Sequence, residues 1–165
     1  MKNFKKLMFL LGLAMILSSV SMAQQFKYIG ASKCKMCHNK PTTGQQYKKW
    51  SEGPHANALK SLKGADATNP KCLKCHSTAA SVDKSLLAGL KADEGVSCES
   101  CHGPGSVYKS AAIMKNVKMA QTKGLILPDE KVCKKCHNEE SPNYKGFNFE
   151  EYKAKIAHPD PAVKK

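Results

Sequence analysis

The chain has 165 residues, a length typical of one domain or of two small ones. All of its basic residues are lysine, and they outnumber the acidic residues to give a formal net charge of +14 at pH 7. The absence of arginine argues against nucleic-acid binding, because bidentate contacts with bases and phosphates are mainly arginine contacts. Only 7% of the residues are aromatic and one is tryptophan, so the side chains alone would form a thin core.

Residues 1–23 have the organisation of a secretory signal peptide. Three lysines precede an apolar run over residues 7–17, and a small-x-small cleavage pattern ends at Ala23. An uncleaved membrane anchor is the alternative, but this run is shorter than the about 20 apolar residues that a membrane span needs. We therefore expect an exported chain, periplasmic or extracellular, in which residues 24–165 form one domain without a membrane span.

Short helices separated by turns are predicted after the signal peptide. Helix-forming residues cluster around residues 55–63, 82–92 and 106–121, and Asn148 begins a capping box that opens a last helix. The Gly-Pro-Gly sequence at residues 103–105 predicts a sharp turn. No segment is rich in strand patterns, so we predict a mostly α, loop-rich single domain.

One motif, present in four copies, contains all eight cysteines of the chain. In each copy, two cysteines are separated by two residues and are followed at once by a histidine. The four copies are Cys34, Cys37 and His38; Cys72, Cys75 and His76; Cys98, Cys101 and His102; and Cys133, Cys136 and His137. The chain has only 6 histidines, so four placements of this kind are not accidental.

This spacing is typical of covalent haem attachment. Each cysteine thiol adds to one vinyl group of the porphyrin, and the histidine that follows becomes the proximal ligand of the iron. Two alternatives are zinc sites, which would use two cysteine pairs per ion, and a disulfide framework, but neither explains the four histidines. We therefore predict four haem c groups, around which the chain wraps and which supply the missing core.

Four irons have eight axial positions, which is more than the histidines can fill. The two histidines outside the motifs, His55 and His158, are the candidate distal ligands, so at most two irons can have two histidine ligands within one chain. His55 lies at a predicted helix start near Trp50, and His158 lies just before Pro159 after the last predicted helix. The alternative role for either histidine is that of a polar surface side chain.

Methionine is the next candidate ligand for the remaining irons. Met36 lies between the cysteines of the first motif, on the proximal side, and is poorly placed to reach a distal face. Met114 lies on the apolar stripe of the helix predicted over residues 106–121, where a core role is the alternative. Met119 lies nearer the lysines of that helix. Met114 is therefore the predicted methionine ligand.

The order of these sites resembles one known family. The stretches "SKCKMCH", "QYKKWSEGPHANAL", "KCLKCH", "GVSCESCHGPGSVY" and "KVCKKCH" are similar to those of a tetrahaem cytochrome c family. That family is typified by the electron acceptor of hydroxylamine oxidoreductase in ammonia oxidisers. The resemblance covers nearly the whole chain after residue 23 and implies closely stacked haem pairs and electron transfer.

The resemblance also implies ligand roles. It implies a distal role for His55 and places His158 near a C-terminal ligand of the family. The haem at the second site of the family has an open distal position, which implies an open iron at His76. The family has a further histidine shortly after the Gly-Pro-Gly turn, which this chain lacks, and Met114 is the local candidate to replace it.

We therefore expect a periplasmic electron carrier with four closely spaced haems. Its lysine-rich surface favours redox protein partners with an acidic docking face, and we expect a monomer or a weak oligomer. One alternative is an enzyme that reduces nitric oxide, nitrite or hydroxylamine at an iron with an open distal site. Another is a subunit of a haem-conducting filament, in which neighbouring chains supply the missing ligands.

Overall fold

The computed structural model describes residues 25–161 as short helices joined by turns and loops. The predicted signal peptide, residues 1–23, lies outside these described residues. Ten α-helices occur in them: α1 Ala31–His38, α2 Gln46–Glu52, α3 Ala58–Ser61, α4 Pro70–His76, α5 Thr78–Ser81, α6 Cys98–His102, α7 Ala111–Met114, α8 Val117–Thr122, α9 Glu130–Lys134 and α10 Phe149–Ile156. Three 3₁₀ turns occur at Pro41–Thr43, Gly64–Ala67 and Lys84–Leu86. The predicted mostly α, loop-rich fold is confirmed.

Each cysteine motif lies on its own helical turn. The first three motifs lie on α1, α4 and α6. The fourth begins on α9 and continues as a helical turn, in which the N–H of His137 donates to the carbonyl of Cys133 over 3.0 Å. Residues three and four positions apart share one face of a helix. The two cysteines and the histidine of each motif therefore project on the same side.

Local capping residues fix where several of these helices begin. Asn69 accepts a hydrogen bond from the N–H of Lys71 at the start of α4, and Asp129 accepts one from the N–H of Val132 at the start of α9. At α10, Asn148 accepts from the N–H of Glu151 over 3.1 Å. The helix start predicted at Asn148 is therefore confirmed.

The prediction of a helix around residues 82–92 is wrong, because this segment pairs with a distant part of the chain instead. Leu87 forms an isolated parallel bridge with Tyr28. The N–H of Tyr28 donates to the carbonyl of Leu86 over 2.8 Å, and the N–H of Ala88 donates to the carbonyl of Tyr28 over 2.8 Å. Leu87 is extended, so the chain forms only the short 3₁₀ turn Lys84–Leu86 before it.

The helix predicted over residues 106–121 is divided into α7 and α8. Asn116 divides it, because its side chain accepts a hydrogen bond from the N–H of Met119 over 3.0 Å and so begins a new helix. The helix predicted over residues 55–63 is shortened to α3, since the carbonyl of His55 accepts a hydrogen bond from the distant N–H of Val96 over 2.9 Å.

Few apolar side chains are buried in the described residues. The buried apolar residues there are Ile29, Ala31, Leu90, Tyr108 and Ala120, and the largest fully buried side chains are Glu99, Thr78 and Ser97. Ordering each residue costs about 1–2 kcal/mol of conformational entropy, which so little apolar burial does not offset. None of the helices in residues 25–161 has the length and hydrophobicity of a membrane-spanning helix.

We expect the haem-free chain to be largely disordered, because its buried apolar side chains are too few to stabilise the helices. The measurement is far-ultraviolet circular dichroism of the chain produced without residues 1–23 in a host that does not attach haem, with the haem-loaded chain as the control. A haem-free chain with the same helical signal and a cooperative thermal transition would contradict this prediction.

Candidate functional site

The four motifs lie next to one another through their cysteines. Cys34 and Cys98 lie close enough to interact, which raises the pKa of Cys98 and lowers the pKa of Cys34. Cys75 lies beside Cys136 and raises the pKa of Cys136, after the larger effect of burial. Cys101 lies close enough to Cys133 for its charge to raise the pKa of Cys101, after the larger effect of burial. The motifs are therefore adjacent in the order first, third, fourth, second.

Two histidine pairs bring the motif histidines together with the histidines outside the motifs. The ring centres of His55 and His137 are 6.1 Å apart, and those of His102 and His158 are 6.0 Å apart. Two imidazoles that bind opposite sides of one metal ion, each at about 2.0 Å, have ring centres about 6 Å apart. Both pairs therefore fit an iron between the rings.

The protonation of these rings also suits metal binding. Burial lowers the pKa of His55, His102 and His137 below the ordinary value for histidine. A neighbouring imidazole lowers it further for His55, beside His137, and for His102, beside His158. These rings are neutral at pH 7, which is the form that binds a metal ion.

The motif histidines His38 and His76 differ from the other two, because no second imidazole faces them. All six histidines lie within the described residues, and the two ring pairs account for the other four. The Nδ1 atom of His76 is 2.8 Å from the carbonyl oxygen of Ala58 and 3.2 Å from Oγ of Ser61. An Nδ1–H that donates to a carbonyl leaves Nε2 free for a metal ion.

The His55 segment is held in place by residues 95 and 96. The indole N–H of Trp50 donates to the carbonyl of Val96 over 2.8 Å, and the N–H of Val96 donates to the carbonyl of His55 over 2.9 Å. Gly95 has a φ of +65°, and a Cβ there would lie 2.7 Å from the carbonyl oxygens of both His55 and Ala56. The close approach therefore needs glycine at position 95.

An aromatic cluster surrounds the motif histidine of the fourth site. Phe147 stacks on His137 with ring centres 5.1 Å apart, and Tyr152 meets the same imidazole edge to face at 5.6 Å. Phe147 and Tyr152 also contact each other at 4.9 Å. Tyr152 lies on α10 and Phe147 lies in the loop before that helix, and the sequence predicted neither contact with His137.

The methionines are placed differently from one another. Met36 and Met119 are exposed, with 73% and 47% of their surface accessible. Met114 is half-buried at the end of α7, and its role as a ligand stays a prediction.

The alternatives to haem attachment have no counterpart in the described residues. All eight cysteines are free thiols, so no disulfide framework is present. Within residues 25–161, no group of three or more histidine, cysteine, aspartate or glutamate side chains is arranged to hold a metal ion by itself.

A mostly α chain with repeated cysteine–histidine motifs and paired imidazoles defines a cytochrome c. Residues 33–103 match the family model described as "Cytochrome c554 and c-prime". Cytochrome c-554 of Nitrosomonas europaea is 30% identical over 164 residues, and the match covers 78% of this chain and 66% of that protein. The structure of the reduced state of cytochrome c554 from Nitrosomonas europaea matches with a TM-score of 0.52 and 26% identity, over 81% of this chain and 79% of that one.

The chain therefore belongs to the cytochrome c554 family, and the family predicted from the motifs is confirmed. The matched part spans about two thirds of the length of the Nitrosomonas relative.

We expect the substitution Gly95→Ala to destabilise the haem-loaded protein more than Gly64→Ala. Both glycines have positive φ, +65° and +54°, so both variants bear the cost of that conformation, about 1–2 kcal/mol. Only at position 95 would the new Cβ meet the backbone of His55, whereas nothing lies within 4 Å at position 64. The expected difference in the free energy of unfolding, measured by guanidinium titration, is about 1–3 kcal/mol. Equal losses would contradict the contact.

Proposed function

We propose that the chain is an exported, periplasmic electron carrier that holds four haem c groups. The observation that carries this proposal is the pair of imidazole–imidazole separations, 6.1 Å and 6.0 Å, at the third and fourth motifs. When bound, haem iron supplies one-electron exchange between the ferric and ferrous states. The similarity to cytochrome c-554 supports the proposal that this chain is a multihaem cytochrome that transfers electrons.

The cysteines and the histidine of each motif would have different roles in binding haem. The two thiols of a motif would form the thioether bonds to one porphyrin, and its histidine would bind the iron. His55 with His137, and His158 with His102, would each hold one iron. An iron with imidazole on both sides has no position left for a substrate, which suits a carrier.

The adjacency of the motifs supports close spacing of the haems. Cys34 lies beside Cys98 and Cys75 lies beside Cys136, which supports contact between the attachment edges of two haem pairs. On this basis we propose the first and third sites, and the second and fourth sites, as the closest pairs. They also agree with the stacked pairs that the resemblance implies.

The first motif offers an edge for docking a partner. On α1, Cys37 is exposed, and Met36 beside it is 73% accessible. Lys33 and Lys35 are exposed on the same helix, and Lys35 also lies over the ring of Tyr47 at 5.2 Å. A haem attached at this exposed helix, beside Lys33 and Lys35, would fit an acidic redox protein, since charge complementarity accelerates association.

A second candidate function is the reduction of a small molecule at an open iron. The observation that favours it is that no imidazole faces His38 or His76 in the part of the chain that the structure describes, which contains every histidine. An iron without a sixth ligand accepts nitric oxide, nitrite or hydroxylamine. The iron at His76 is the first candidate, and the iron at His38 is the second unless Met114 binds it.

The purified exported protein is expected to have a mass that exceeds the polypeptide by four haem groups and to take up four electrons reversibly. The measurements are mass spectrometry and a spectroscopic redox titration. The matched control replaces Cys133 and Cys136 by alanine, which removes one attachment site and lowers both numbers to three. A colourless protein, or one with a different haem number, would overturn the proposal.

We expect His55→Ala and His158→Ala each to convert one six-coordinate iron into one that binds a small ligand. Low-temperature electron paramagnetic resonance measures the spin states, and carbon monoxide titration of the reduced protein counts the open irons. Each variant raises the carbon monoxide count by one relative to the unmodified chain. A count that stays constant in either variant would contradict that histidine as a ligand.

The same titration tests Met114. If Met114 binds the iron at His38, Met114→Leu raises the count by one, and Met119→Leu, at an exposed position, leaves it unchanged. An unchanged count in both variants would mean that Met114 is not a ligand of that iron and belongs to the apolar stripe.

A further inference from the structure

Glu99 is the largest fully buried side chain in the described residues, with 1% of its surface accessible. Carboxylates are almost never fully buried unless they are paired. Glu99 directly follows Cys98 within the third motif, so it lies between the two cysteines that hold the third haem. Neither the haem attachment nor the histidine pairs use this carboxylate.

Backbone N–H groups from one distant segment and from the turn after the third motif surround the Glu99 carboxylate. It accepts hydrogen bonds from the N–H of Ile29 at 3.0 Å and from the N–H of Gly30 at 2.8 Å, both about 70 residues away in the sequence. It also accepts from the N–H of Gly105 at 2.7 Å, in the turn after the third motif. Burial raises the pKa of Glu99, and the three N–H donors oppose that effect because they stabilise the ionised carboxylate.

A second carboxylate binds the same end of the first-motif helix. Glu94 accepts a hydrogen bond from the N–H of Ala31, the first residue of α1, over 2.8 Å. The N-cap of α1 is Gly30, which has no side chain to supply a local cap. Glu94 and Glu99 therefore replace the cap from the third-motif segment, at the helix end where negative charge is favourable.

Two glycines make room for this arrangement. Gly30 has a φ of +86°, and a Cβ there would lie 2.6 Å from Oε1 of Glu94. A Cβ at Gly105 would lie 3.1 Å from Oε1 of Glu99. Both carboxylates thus approach the backbone at points where another residue would crowd them.

We propose that Glu99 is a positioning residue that fixes the first-motif helix against the third motif and lowers the reduction potentials of the two haems held there. Cys34 and Cys98 lie beside each other on the same two helices, so Glu99 lies at the junction of both attachment sites. A buried negative charge stabilises the ferric iron over the ferrous iron. The inference rests on the proposed function, because it needs haem at these two motifs.

The test is a spectroscopic redox titration of the haem-loaded protein with the substitution Glu99→Gln. An amide in place of the carboxylate removes the charge and puts an N–H donor against backbone donors. We expect the potentials of two haems to rise so that their reduction equilibrium shifts about tenfold, which is about 59 mV for a one-electron couple. The potentials of the other two haems stay unchanged.

Three further variants make the test specific. Glu52→Gln removes the same charge at an exposed position at the end of α2, and no haem potential shifts. Glu99→Asp keeps the charge on a shorter side chain, so it lowers thermal stability but leaves the two potentials near those of the unmodified protein. Comparison with His158→Ala, which alters the iron at His102, identifies the signal of the third haem.

The outcomes separate this inference from the proposed function. A Glu99→Gln protein that retains four haems with all potentials unchanged overturns the inference and leaves the carrier intact. If Glu99→Gln fails to retain haem, Glu99→Asp decides: shifted potentials in spite of the retained charge overturn the electrostatic role. A chain that never binds haem overturns the proposed function itself.

Discussion

The interior of residues 25–161 contains too few apolar side chains to hold ten short helices in one arrangement. Several of these helices have only four or five residues, and helices of that length are not stable alone in water. Their stability has to come from what they pack against. Each motif helix projects two thiols and an imidazole on one face, so covalent attachment to a large apolar ring is the constraint on which the fold depends.

Hydrogen bonds between distant segments fix the path of the chain between these helices. The segment before α1 pairs with residues 86–88 through Tyr28 and is bound by the carboxylates of Glu94 and Glu99. The His55 segment is bound to residues 95 and 96, and His76 donates to the carbonyl of Ala58, three residues after His55. Backbone groups that would otherwise be buried without partners are satisfied, and the same bonds hold the attachment sites at fixed separations.

The sequence is informative wherever the signal is local. The spacing of cysteine and histidine matches the helical turn on which each motif lies, and the Asn148 cap identified the start of α10. The helix predicted at residues 82–92 does not form, because this segment pairs with Tyr28. The helix predicted at residues 106–121 is divided by the cap at Asn116. In both places these contacts override helix propensity. Which imidazole faces which, and the burial of Glu99, depend on contacts between segments up to about 80 residues apart, so no local pattern contains them.

The presence of a second imidazole depends on where a motif lies in the spatial order of the four motifs. Neither the motifs nor the number of histidines shows this by itself. The third and fourth motifs are in the middle of the adjacency order, and both of their histidines face a second imidazole. The first and second motifs are at its ends, where His38 and His76 face none within the described residues. Irons closed on both sides change their coordination little between oxidation states, which suits the middle of a chain of haems. In the proposed function a partner would dock, or a small ligand would bind, at these ends, so the carrier and the reductase hypotheses differ only in what would reach the terminal irons.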